Sequence, residues 1–151
     1  MRTSTRFAAR GLAAALLTAS LALPAAAQEP LQKDSLEFGR KFAEWFRASN
    51  ADSAAAHMTA NLLNDLGGRD GVLEGMSQIA MRAGDFVKIL EEQFAWRGGK
   101  RQYWQTAQMS SMTEPVVYRF VMEPNGQISG LGVNPISRRP DADSAGPVIK
   151  P

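Results

Sequence analysis

The residues able to do chemistry in this chain are few and scattered. His57 is the one histidine and cysteine is absent. Disulfides, thiol nucleophiles and thiolate metal sites are therefore excluded, and imidazole catalysis would rest on a single side chain. His57 stands at the end of an Ala-rich run, where an imidazole complements the negative end of a helix dipole. Carboxylates do not cluster at ligand spacing, so no metal and no cofactor is implied. Tyr103 and Tyr118, with Asp52, Asp65 and Glu91, are the residue types for proton transfer between a carboxylate and a phenol. That chemistry needs the two groups face to face in an apolar cavity, where burial tunes the pKa. Nothing in their spacing ties them into a set. Gly67, Gly68 and Gly71 lack the Lys-Ser/Thr ending of a phosphate loop.

A second group is defined by its aromatics: Trp96, Tyr103, Trp104 and Tyr118, with Arg101 and Arg119 among them. On the concave face of a curved sheet, Trp96, Tyr103, Trp104, Tyr118 and Arg119 would line a ligand cavity, the arginine holding an anion at its rim. The competing assignment puts the same rings in the core or in a dimer face.

The elements that must carry these residues fall into two halves. From Asp85 to Pro135 the pattern is four antiparallel strands, expected at Phe86–Trp96, Arg101–Ser110, Val116–Met122 and Gln127–Val133. Arg97-Gly98-Gly99-Lys100 joins the first pair. Glu123-Pro124-Asn125-Gly126 joins the last, with Asn-Gly expected to supply the positive φ angles of a two-residue turn. Such short connections force antiparallel pairing. The first strand does not alternate cleanly: Lys88 and Glu92 share a face with Phe86, Leu90, Phe94 and Trp96, and a β-bulge would repair this.

Before Asp85 the chain reads as helical. A helix capped by Asp34 or Ser35 carries Leu36, Phe42, Ala43, Trp45 and Phe46 as an apolar stripe and ends at Ser49-Asn50. Short helices are expected over Ala51–Met58 and Thr59–Leu66. A longer one from Asp70 presents Val72, Leu73, Met76, Ile79, Ala80 and Ala83 on one face.

Residues 1–27 read as a signal peptide: Arg2, Arg6 and Arg10, then an apolar run from Leu12 to Leu23, then Pro24-Ala25-Ala26-Ala27 before Gln28. Without the three leader arginines the 17 basic residues become 14 against 15 acidic, a net charge of −1. The sequence pI of about 9.2 is thus largely a property of the leader, and no nucleic-acid-binding patch or stable membrane insertion is expected. The expected organisation is leader 1–27, polar lead 28–34, one α+β domain 35–136 and a disordered tail 137–151.

Helices followed by an antiparallel meander, carried by KFAEWFRASNADSAAAHM, LEGMSQIAMRAGDFVKI, GGKRQYWQT and EPVVYRFVMEPNGQISGLGVNP, resemble the nuclear transport factor 2-like superfamily, the cystatin-like α+β cone. The nearer likeness is to exported domains of unknown function that also precede α/β-hydrolases or β-lactamase-like serine hydrolases. Gly-x-Ser-x-Gly and Ser-x-x-Lys motifs are absent, so a free-standing version is expected. The resemblance implies a cone, a homodimer through the sheet face, and non-enzymatic binding of a small apolar or amphipathic molecule or an accessory protein-interaction role in the periplasm or outside the cell. Some relatives are isomerases that pair a carboxylate base with a tyrosine, which makes a small isomerase or hydratase the alternative.

Overall fold

The computed structural model describes residues 36–151. The leader at 1–27, the polar lead at 28–34 and the expected cap at Asp34 or Ser35 lie outside the described residues. The chain is α+β, with helices α1 (Leu36–Arg47), α2 (Ala51–Ala56), α3 (Ala60–Asp65) and α4 (Gly68–Ala83) preceding the strands. Strands β1 (Phe86–Arg97), β2 (Lys100–Met109), β3 (Val116–Met122) and β4 (Ile128–Pro135) follow, then a 3-10 turn (Ile136–Arg138) and β5 (Ser144–Ala145). The sheet is antiparallel throughout its strand pairs, in the order β4-β3-β2-β1-β5. None of the described helices is long and apolar enough to cross a membrane.

Local chemistry places the helix ends. α1 stops where Ser49 takes a positive φ of 54° and the Asn50 N–H reaches back to the Trp45 carbonyl at 2.9 Å. Asn50 then caps α2, its side-chain oxygen accepting from the Ser53 N–H at 3.1 Å. Thr59 does the same for α3 through the Leu62 N–H at 3.3 Å.

The first hairpin turns as expected, with Gly98 and Gly99 both at positive φ and Arg97 opposite Lys100. The second does not. Only Gly126 has a positive φ, 79°, and the Gly126 N–H donates to the Glu123 carbonyl at 2.8 Å. Pro124 explains the difference: its ring fixes φ near −65°, which suits the first central position of an ordinary turn and leaves Gly126 to close the loop.

One core lies between the helices and the sheet. Phe38, Phe42, Ala43 and Phe46 of α1 and Met76 of α4 pack on Tyr103, Tyr118 and Phe120 of the strands, all buried. Phe42 meets Phe120 edge-on at 4.8 Å, and Phe120 lies 6.2 Å from Tyr103 in a parallel stack. Gly39, also buried, sits in mid-helix, where glycine weakens a helix. The Tyr103 ring accounts for it: a Cβ there would lie 2.5 Å from the ring carbons.

The sheet has five strands where four were expected, because residues 137–151 are not a disordered tail in this structure. Asp143, Gly146 and Ile149 donate their N–H groups to the Trp96, Phe94 and Glu92 carbonyls, each at 2.8 Å. The outer edge of β1 would otherwise leave that row of backbone groups unpaired, and the C-terminal segment satisfies it. Ala142 of this segment, with Ile136 just before it, packs on Ala95, Trp104 and Val117 on the sheet face away from the helices.

Candidate functional site

The five residues expected to share a ligand cavity are divided by the sheet. Adjacent residues of a strand point to opposite faces, so Tyr103 and Trp104 cannot line one pocket. Tyr103 and Tyr118 face the helices. Trp104 and Arg119 lie on the far face, where the Arg119 and Arg139 guanidinium groups stand 6.0 Å and 5.6 Å from the indole. Trp96, near the first hairpin, is 39 % exposed. Arg101 lies over the Phe94 ring at 3.7 Å.

The named carboxylates do not meet the tyrosines either. Asp52 pairs with Arg69 at 2.5 Å on the surface, Asp65 is exposed, and Glu91 accepts from the Thr106 hydroxyl at 3.2 Å on the far face. His57 ends α2, its Nδ1 2.8 Å from the Ser53 carbonyl and its ring stacked on Trp45.

The carboxylate that faces a tyrosine is Glu92, only 1 % exposed. β1 does contain register shifts, at Phe86/Lys88 and Ile89/Glu91. They leave Glu92 opposite Gln105 and Phe94 opposite Tyr103, on the helix side. Glu92 Oε1 accepts from the Tyr103 hydroxyl and from Gln105 Nε2 at 3.1 Å. Its Oε2 accepts from Arg40 Nε at 2.7 Å and Nη2 at 2.6 Å. Burial pushes this carboxyl up, but the bonds from Arg40, Tyr103 and Gln105 and the Arg40 charge outweigh it and hold Glu92 below its ordinary value. Burial, then the bond to Glu92, drives the Tyr103 phenol well above its ordinary value, so it stays a donor. A carboxylate this well satisfied is a poor base. The cluster holds α1 to the sheet and is not arranged for proton transfer.

Its second effect reaches Arg47. Gln105 Nε2 also donates to the Tyr103 oxygen at 2.7 Å, which turns the amide oxygen towards α1. That oxygen accepts from Arg47 Nη1. Arg40 and Arg47 are two helical turns apart on α1, so one side of the helix touches both ends of the cluster.

The Arg47 guanidinium lies 4.3 Å from the Phe86 ring centre and 5.7 Å from that of Tyr118. Burial lowers its pKa. Among the described residues no carboxylate stands within ion-pair distance of it. Beside it opens a cavity of about 100 Å³, walled by Phe46, Met76, Ile79, Phe86 and Met109, with Asp85 also contributing to the lining. The cavity thus sets apolar side chains beside the half-buried Arg47 guanidinium, with Asp85 at its lining and the Tyr118 hydroxyl donating to Met109 Sδ at 3.7 Å.

Glu92 and Gly39 were visible as anomalies of pattern. A carboxylate on the same face as Leu90 and Phe94, and a glycine inside an aromatic-striped helix, each mark a close polar or steric approach. No signal in the sequence assigns Arg47 to a pocket, because that depends on how α1 crosses the sheet. Comparison with protein families, with curated proteins and with solved structures finds no match to this chain.

Proposed function

We propose that this chain is an exported, non-enzymatic binding domain for a small amphipathic anion, built as a cone of the nuclear transport factor 2-like kind. Arg47 carries the reading. A half-buried guanidinium with no carboxylate partner among the described residues, at the wall of a cavity lined largely by apolar side chains, calls for an anion, and those side chains call for a short apolar body behind it. The leader supports export, and helices packed on an antiparallel meander support the cone. An isomerase or hydratase acting through Glu92 and Tyr103 is disfavoured, since both groups are engaged with each other and neither lines the cavity. A dimer through the outer sheet face would displace the C-terminal segment from Trp104, so the binding unit is proposed to be the monomer.

Calorimetric titration of residues 28–151 with sodium butyrate tests this. Saturable binding that weakens by roughly 10-fold or more in Arg47→Gln, the loss expected for a charge-assisted hydrogen bond, supports it. Heats that do not saturate, or equal binding by Arg47→Gln, contradict it.

A further inference from the structure

On the other side of α4's last turns lies a second, larger hollow of about 380 Å³. Its apolar floor is Met112, Val116 and Val133, and the exposed Arg82 and Arg138 stand at its rim. One residue lines both this groove and the Arg47 cavity: Ile79. It is half-buried on the inner face of α4, between Met76 and Ala83, which are both buried. Its side chain is therefore part of the wall between a small cavity lined by the half-buried Arg47 and a large apolar groove whose arginines are exposed.

We infer that Ile79 sets the length of the ligand, and that the ligand class is a short-chain monocarboxylate with its head on Arg47 and its alkyl end stopped at Ile79. The inference rests on the reading of Arg47 as an anion site. The 100 Å³ cavity accommodates only a short alkyl segment beside the carboxylate. Each buried methylene strengthens binding about fourfold, so affinity climbs with chain length only until the wall is reached. Shortening Ile79 joins the cavity to the groove and lets a longer chain lie on Met112, Val116 and Val133. Enlarging Ile79 shortens the limit.

The test is a titration of residues 28–151 with the straight-chain carboxylates from acetate to octanoate, repeated on Ile79→Ala, Ile79→Val and Ile79→Phe. Expected is a rise of about fourfold per methylene in the parent that stops within the series. The stop should move to longer acids in Ile79→Ala, less so in Ile79→Val, and to shorter acids in Ile79→Phe. The mild Val and opposite-sense Phe variants keep the result decisive if the Ala variant folds poorly. A stop at the same length in every folded variant, or continuous strengthening up to octanoate in the parent, overturns the inference while leaving the anion site standing. Failure of every acid to bind overturns the anion site itself.

Discussion

The two faces of the sheet bury their residues by different means. Towards the helices, side chains do the work: stacked rings, a glycine that lets Tyr103 close on α1, and an ion pair from the exposed Arg40 to Glu92, which is buried among amide and phenol groups. On the far face, Ala95, Trp104 and Val117 are covered by the chain's own C-terminal segment, which is held chiefly through backbone bonds to the edge of β1. Each face also carries an arginine whose pKa is lowered by burial. Arg47 borders a cavity, whereas Arg119 is packed in: its Nη2 donates to Asn134 Oδ1 at 3.2 Å, and a Cβ at Gly132 would stand 2.5 Å from it. Backbone pairing tolerates changes of side chain, while a packed polar cluster does not. The faces should therefore respond differently to substitution, pH and ligand.

The largest expected effect is on the helix face. Glu92→Ala strands the Tyr103 hydroxyl and the Gln105 amide in a buried site and should cost about 3 kcal/mol, read from the urea midpoint. A loss under roughly 0.5 kcal/mol, the range of ordinary surface changes, would place the cluster's contribution elsewhere.

Gly39→Ala comes next. The methyl should improve helix propensity by about 1 kcal/mol but crowds the Tyr103 ring, an overpacking cost of roughly 1–3 kcal/mol. A net loss is expected in thermal melts, and a gain would mean that α1 shifts freely. An alanine at Gly75, a mid-α4 glycine without a positive φ where an added Cβ meets nothing within 4 Å, is the matched control and should stabilise.

Truncation after Arg139 breaks the backbone bonds to the edge of β1 and removes Ala142 from the cluster around Trp104. A smaller loss, about 1 kcal/mol, is expected, with a red shift in tryptophan emission. An unchanged midpoint and spectrum would mean that the segment does not hold to β1 in solution.

The smallest effect is the pH response. Glu92 sits below its unfolded value of about 4.3, so its stabilisation is present above that pH and is lost as pH falls through the folded value. Glu92→Gln should flatten this acid limb. An equally steep limb in the variant would assign it to other carboxylates such as Asp52, Glu114 and Glu123, which are also held low by their partners.

Legibility in the sequence followed the same division. Strand order, the Gly98-Gly99 turn and the apolar face of α4 follow from local pattern, which is set by residues near one another in the chain. Pro124 overrode the Asn125-Gly126 signal because a fixed φ is a stronger constraint than a turn preference. The bulge expected in β1 is there, yet it leaves Glu92 inside: Arg40, fifty-two residues earlier in the chain, supplies the compensating charge. Pro140 and the small residues after it hide the docking of the C-terminal segment, since edge pairing uses backbone groups that every sequence has. The pairing of Trp96, Tyr103, Trp104, Tyr118 and Arg119 into one cavity failed on strand alternation alone, a rule already available from their numbering.

The contrast between the two arginines is tested most directly by ¹⁵N NMR of the side-chain Nε–H groups during a butyrate titration. A saturable shift of the Arg47 resonance with Arg119 unmoved is the expected result. Movement of Arg119 without Arg47, or no movement of either, would contradict the assignment of the helix-face cavity as the anion site.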